Sequence, residues 1–344
     1  MGRSGRKRLL VYFPTWLGDG VMATVALSEL RGVFSEDEWE VVGYPPRGLR
    51  GLFKPLAGVD RWLGRWSGMG LWAEACWLRG LGFDAVLLLP NSFRSALVVW
   101  LAGIPRRIGY ARDGRGWLLT DRAEARREGG KWAAEPAVDY YLRLVRRLGG
   151  GGEGMSAMRL VVTEAQRREM GERLEALGVG AGDRVVVLNP GASKVMKRWP
   201  AERYGALADR LAETFGVVVL VSGSPGERGI AGEVVASSET GVVDVTGRLS
   251  VGLLKALMER AALLVTNDTG PRHVAAAVGT SVVTLFGPTG PEWTVIPFDR
   301  DVHVIARDRR RIGDGFAGGT MGAITVEEVF EAAAGVLRVE GDQA

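Results

Sequence analysis

Cysteine and histidine are nearly missing from these 344 residues: Cys76 stands alone, and His273 and His303 are the two imidazoles. One cysteine excludes an internal disulfide framework, and one thiol with two imidazoles cannot complete a usual structural zinc site. A histidine-rich active site is excluded as well. Chemistry must therefore rest on carboxylates, lysine or arginine, and backbone dipoles. Long apolar runs are also missing, since the longest, Ala96 to Ile104, falls far short of the ~20 residues that span a bilayer. The basic opening MGRSGRKR leads into only a brief apolar stretch, Leu9 to Phe13, before Pro14, Gly18 and Asp19 interrupt. A secretory signal needs an apolar run of about 7–15 residues, so the expectation is a cytoplasmic chain.

Glycine, by contrast, is plentiful, with fifty residues, as suits many tight strand-to-helix corners. Hydrophobic content of 47% and charged content of 24% lie in the globular range, which excludes general disorder. The length suits two domains of roughly 100–200 residues each. Net charge is +4, but its distribution is uneven. Residues 1–150 carry 23 Lys and Arg against 15 Asp and Glu, whereas residues 151–344 carry 21 against 25. A basic half fits an acidic partner (nucleic acid, anionic lipid or a phosphorylated substrate) or simply solvated arginines.

The pattern along the chain is strand, Gly-rich corner, helix, repeated. Arg8–Phe13, Trp39–Gly43 and Ala85–Leu89 read as strands, with helices over Gly20–Phe34, Ser92–Ala102 and Asp139–Leu148. The run GGGGEG, Gly149 to Gly154, then breaks the series. A second series follows the charged helix Glu164–Leu177. Its strands are Arg184–Asn189, Val217–Ser222, Val242–Val245, Leu263–Thr266 and Val282–Phe286, alternating with helices and closing on Val326–Leu337. Strands alternating with helices predict parallel sheets covered on both faces, hence an α/β chain of two doubly wound domains. Ligands of such sheets sit at the carboxyl ends of the strands.

Four corners carry chemistry. In PTWLGDGVMAT, Asp19 is either a helix N-cap or a carboxylate placed as general base between Gly18 and Gly20. In NPGASKVMKRWP, Ser193, Lys194, Lys197 and Arg198 follow a Pro-Gly turn, which suits a phosphate group or else solvated cations. The spacing is not that of a P-loop, so no ATPase reading follows. In VTNDTGPRHVAAAVGTSVVTLFGPTGPEW, Asp268 or Thr269 caps a helix opened by Pro271, and the N-terminus suits a diphosphate. His273, one turn inside, either lines that site or is a core histidine. In SGSPGERG, Glu227 is a first-turn helix carboxylate or a ligand of ribose hydroxyls. Together the corners point to a nucleotide diphosphate compound bound between two domains. Trp62, Trp66, Trp72 and Trp77 are expected in the core.

These blocks, with NSFRSALVVWLAGIPRRIGY (Asn91 to Tyr110), resemble the bacterial lipopolysaccharide heptosyltransferases of glycosyltransferase family 9, nearest their type II members. The resemblance runs from near residue 8 to about residue 339. It implies a GT-B fold: two Rossmann-like domains facing a cleft, residues 1–165 binding the acceptor and 166–344 the nucleotide sugar. The last helix, 326–337, is left free to pack on either domain. It implies an inverting, metal-independent transfer of heptose from ADP-L-glycero-D-manno-heptose to the phosphorylated lipid A inner core, with no cofactor. A different nucleotide-sugar donor or acceptor, a nucleotide-sugar epimerase of the same shape, or a non-catalytic binding protein are the alternatives.

Carried over by position, Asp19 matches the general base and Lys197 the lysine on the donor diphosphate. Ser193, Glu227, Asp268, Thr269, Gly270 and His273 match donor-binding positions. Arg94, Arg106, Arg107 and Arg112 are candidates for the acceptor phosphates. The partners implied are ADP-heptose, the glycolipid acceptor and the anionic cytoplasmic face of the inner membrane, with no nucleic acid. The chain departs from the family at Arg272, where a less bulky, uncharged residue, often Met, is usual, and at Gly290, where Asp is common; the C-terminal cysteine cluster of many type II members is missing.

Overall fold

The structure, a computed structural model, describes residues 5–129, 131–132, 135–151, 157–291, 294–308, 310–312, 315–317 and 319–341. The chain divides into two compact units, residues 1–159 with 295–297, and residues 160–294 with 298–344. The division falls a few residues ahead of the expected 165/166 boundary, because Leu160 donates its N–H to Ala277 of the second unit. Half of the glycine run expected to break the pattern, residues 152–154, lies outside the described residues.

In the first unit the elements are β1 (Lys7–Tyr12), α1 (Leu17–Met22), α2 (Thr24–Leu30), β2 (Trp39–Tyr44), α3 (Arg50–Phe53), β3 (Arg61–Trp62), α4 (Leu71–Leu81), β4 (Ala85–Leu88), α5 (Phe93–Leu101), β5 (Arg106–Tyr110), β6 (Asp121–Ala123), a small β7–β8 hairpin (Arg127–Glu128 and Lys131–Trp132) and α6 (Ala137–Arg146). The parallel sheet runs β3-β2-β1-β4-β5-β6. Leu9, Leu10 and Val11 of β1 are fully buried, as expected of a strand covered on both faces. The single helix expected over Gly20–Phe34 is two helices. Thr24 turns its hydroxyl onto the Val21 carbonyl at 2.6 Å, a local bond that competes with a continuous helix.

The second unit holds α7 (Glu164–Glu175), β9 (Val185–Asn189), α8 (Ala201–Phe215), β10 (Val218–Val221), α9 (Arg228–Ala236), β11 (Val243–Asp244), α10 (Val251–Arg260), β12 (Leu263–Asn267), α11 (Gly270–Val278), β13 (Ser281–Phe286), β14 (Asp301–Ile305), a β15–β16 hairpin (Arg310–Ile312 and Gly315–Ala317) and α12 (Val326–Gly341). Its parallel sheet, β11-β10-β9-β12-β13-β14, repeats the order of the first. Val185, Val186, Val187 and Leu188 are all fully buried, so β9 is a central strand made of an unbroken apolar run. The final helix belongs to this unit: Val329, Ala333, Ala334 and Leu337 complete its core beside Tyr204, Leu207 and Leu211 of α8.

Candidate active site

Asp19 lies in the first turn of α1, where the β1 chain leaves the sheet. It is not the cap, a position held by Trp16 without a side-chain bond. Phe13, Phe53 and Trp62 stack behind this corner, and the Phe53 ring would come within 2.8 Å of a Cβ on Gly20, so only glycine fits there. The Asp19 carboxylate has no ion pair among the described residues. Burial alone pushes its pKa above the usual carboxylate value. A half-buried carboxylate without a counter-ion suits proton abstraction.

In the second unit, the corners after β9, β10, β12 and β13 share one sheet edge. Asn267, fully buried at the end of β12, ties the edge together. Its Nδ2 donates to the carbonyls of Pro190 (2.8 Å) and Gly191 (3.2 Å), and its Oδ1 accepts from the N–H of Trp199 (3.2 Å). Asn189 does the same toward β10, donating to the Ser222 carbonyl at 2.9 Å. The loop carrying Lys197 is thereby fixed beside the N-terminus of α11. Thr269 is the N-cap of α11, yet no side chain caps the helix; the Thr269 hydroxyl bonds to the Asn267 carbonyl instead. An uncapped helix start beside a lysine is an anion site in the physical sense.

Asp268 holds the cation in place. Its Oδ2 lies 3.3 Å from Lys197 Nζ, and its Oδ1 takes Arg272 Nη1 and the Thr294 hydroxyl, each at 3.2 Å. Arg272, with no exposed side-chain surface, also bonds Asp301 through Nε (2.8 Å) and Nη2 (2.6 Å), and the Thr294 carbonyl through Nη1. His303 stands 3.0 Å from Asp301, and Thr284 donates to it as well. With both oxygens occupied, Asp268 is an anchor for Lys197.

Glu227 receives the N–H and hydroxyl of Ser224 at 2.7 Å each, which makes it the carboxylate of a capping box. The same carboxylate crosses to the neighbouring corner, where a Cβ on Gly191 would come within 1.9 Å of its Oε1. Ser193 is exposed on the Lys197 loop. His273 is buried, and its Nδ1 finds no partner among the described residues. Burial, then the charge of Arg272, pushes its pKa down to about 4. It is therefore a buried histidine that is uncharged at neutral pH.

The four arginines separate. Arg106 and Arg107 begin β5, opposite Ala85 and Val86 at the amino edge of the sheet, away from the ligand edge. Arg106 pairs with Asp121 at 2.9 Å, and Arg107 bonds the carbonyls of Leu118 and Ile104. Their place at the start of a strand was hidden because two arginines do not announce one. Arg94 opens α5 beyond the carboxyl end of β4 and pairs with Glu74 at 2.7 Å. Arg112 follows β5, with its guanidinium 4.5 Å over the Trp132 ring and its Nε buried without a partner among the described residues.

Several residues of these sites went unnoticed in the sequence. Buried Glu74 accepts Tyr12 (2.9 Å), Tyr44 (3.3 Å) and Arg94. Arg65 lies over Tyr12 and bonds the Phe13 carbonyl and Thr15, pinning the Asp19 corner. Asp301, Thr294 and His303 form the rest of the Arg272 network. Glu74 and Asp301 sit in α4 and β14, elements without a strong sequence signal. Among the tryptophans, Trp66 and Trp72 are exposed, contrary to the expected core placement; each sits outside the sheet, in a loop and at a helix start.

Residues 74–312 match the family model described as glycosyltransferase family 9 (heptosyltransferase). The lipopolysaccharide heptosyltransferase 2 of Escherichia coli K12 is 28% identical over 301 residues, 83% of this chain and 84% of the relative. The lipooligosaccharide heptosyltransferase 2 of Haemophilus influenzae is 26% identical over 302 residues, 83% of this chain and 85% of that protein. Among solved structures, a family 9 glycosyl transferase from Veillonella parvula superposes with a TM-score of 0.83 at 25% identity, covering 96% of this chain and 97% of that one. The E. coli ADP-heptose LPS heptosyltransferase II superposes with 0.82 at 25% identity, covering 97% and 99%.

Proposed function

The chain belongs to glycosyltransferase family 9, and from that premise we propose that it transfers a heptose, with inversion, from ADP-L-glycero-D-manno-heptose to the phosphorylated inner core of lipopolysaccharide. The observation that carries the donor half is Lys197, held by Asp268 beside the uncapped start of α11. That is where a diphosphate leaving group would have its charge met. Ser193 adds a hydroxyl donor to the same loop, and Glu227 is assigned to the ribose hydroxyls.

In the reaction an acceptor hydroxyl oxygen bonds to the anomeric carbon as the bond from that carbon to the ADP oxygen breaks. Asp19 takes the hydroxyl proton. Lys197, Ser193 and the backbone N–H groups opening α11 stabilise the charge that passes to the diphosphate, the electrostatic part of catalysis. A base contributes about 10²–10⁴-fold. Arg112 and Arg94, at the carboxyl edge of the first sheet, are assigned to acceptor phosphates; Arg106 and Arg107 are not.

Among the described residues no helix is long and apolar enough to cross a membrane. A lipid-linked acceptor would then be met by peripheral attachment at the cytoplasmic membrane face. The test is to incubate the purified chain with ADP-heptose and truncated core acceptors, with UDP-sugars and excess EDTA as parallel arms. Heptosylated acceptor and ADP are expected, undiminished by EDTA. Transfer from a UDP-sugar alone would replace the donor, and turnover lost in EDTA would overturn the metal-free reaction.

A further inference from the structure

Helices α4 and α5 lie side by side on one face of the first sheet, and their outer surface exposes aromatic side chains. Trp72 of α4 is 67% exposed, and Phe93 and Trp100 of α5 are 41% and 43% exposed. Trp117, on the turn between β5 and β6, is 59% exposed and gathers the α5 pair, its ring lying 6.3 Å from Phe93 and 6.1 Å from Trp100. In the second unit none of the large exposed hydrophobics among the described residues is aromatic. Water-exposed tryptophans in mutual contact forgo burial that a folded core would have supplied, so they mark a surface that is covered in use.

The charges on this layer decide by what. The one carboxylate on α4 and α5 is Glu74, which is buried. The exposed charged residues of both helices are Arg79 and Arg94. Arg79 donates to the Leu101 carbonyl beside Trp100 and has no ion pair among the described residues, so its charge is uncancelled. By contrast, the outer helices of the second unit expose carboxylates, Glu202 and Glu213 on α8 and Glu233 on α9. Two helices that expose tryptophan and arginine but no carboxylate, flanked by a β5–β6 turn whose exposed Asp113 stands between Arg112 and Arg115 in the chain, match the headgroup zone of an anionic bilayer, where indoles settle and guanidinium groups meet phosphates.

We propose that the α4–α5 layer, through Trp72, Phe93, Trp100 and Trp117 with Arg79, is the face by which this protein docks on an anionic phospholipid membrane. The proposal rests on the transferase reading only for its purpose. Phe93 opens α5 just beyond the carboxyl end of β4, so docking here holds the acceptor edge of the first unit at the lipid surface, where a glycolipid headgroup emerges.

The test is co-sedimentation of the full chain with vesicles of phosphatidylcholine alone or mixed with phosphatidylglycerol. Wild type should bind the mixed vesicles, with weaker binding in high salt, and its tryptophan emission should shift to the blue. The double variant Trp100→Ser, Trp117→Ser changes exposed side chains and should keep its melting temperature. Its partition onto mixed vesicles should fall about tenfold or more. Arg79→Gln should weaken binding to the mixed vesicles and leave any binding to phosphatidylcholine unchanged. Turnover of a soluble, lipid-free core acceptor should stay within about twofold of wild type.

Equal vesicle binding by wild type and the double variant overturns the proposal, as does failure of wild type to bind. A dimer that the double variant makes monomeric, with vesicle binding unaltered, overturns it in favour of a protein interface. If the soluble acceptor is never heptosylated while vesicle binding is lost in the double variant, the transferase reading fails and the docking face stands.

Discussion

Lys197 Nζ and Asp268 Oδ2 are 3.3 Å apart, and the other oxygen of that carboxylate is held by Arg272. The lysine is thus aimed by a carboxylate that the arginine partly neutralises, which leaves positive charge for a ligand. Lys197→Met should lower ADP affinity by about 10–100-fold, the worth of a charge-assisted hydrogen bond. Calorimetry reads this directly. Asp268→Asn, which unties the lysine while keeping its charge, should reduce turnover more than ADP affinity.

Arg272, where the resemblance leads to a smaller uncharged residue, is fully partnered in this chain. Asp268 and Asp301 both pair with it, and Thr294 and His303 complete its contacts. Arg272→Met would take the guanidinium from both carboxylates, leaving Asp268 to Lys197 and stranding the buried Asp301 charge, and should cost about 3–5 kcal/mol in denaturant unfolding. Adding Asp301→Asn to that variant removes the stranded charge and should recover much of the loss.

His273 makes stability depend on pH. Its folded pKa of about 4 lies below the ordinary unfolded value of about 6.5, so the unfolded chain binds the proton more readily. The folded state is therefore penalised as pH falls from about 6.5 toward about 4, by ~3 kcal/mol across the window. His273→Gln should flatten that part of the stability profile, measured by urea unfolding at several pH values.

Gly191 gives a test of the β9–β10 corner pair. A methyl group there would displace the Glu227 carboxylate from its position over the loop. Gly191→Ala should weaken adenosine nucleotide binding, read by competition with ADP. It should change the melting temperature little, because Glu227 sits near the surface.

The two sheets were legible because their central strands are unbroken apolar runs; Val185 to Leu188 and Leu263 to Val265 allow little else. The strands β3 and β5 were not, since β3 has two residues and β5 opens on Arg106 and Arg107, whose stems run along the amino edge. The glycine-rich corners were legible one by one. What bound them together was not: Asn267 reaches the Pro190 and Gly191 carbonyls across 76 or 77 residues of sequence, and Arg272 meets Asp301 on an edge strand. His273 was open to two readings because one turn of helix decides whether an imidazole faces ligand or core.

The most direct measurement is the rate of heptose transfer from ADP-heptose to a phosphorylated core acceptor, followed against pH for wild type and Asp19→Asn. Because burial raises the Asp19 pKa and the base must be ionised, kcat/KM of wild type should rise with pH through a midpoint above the ordinary carboxylate range of ~4. Asp19→Asn should lose about 10²–10⁴-fold in turnover together with that acid limb, and keep ADP binding within about twofold. Turnover in Asp19→Asn close to that of wild type, with the acid limb intact, would contradict the assignment of Asp19 as the base.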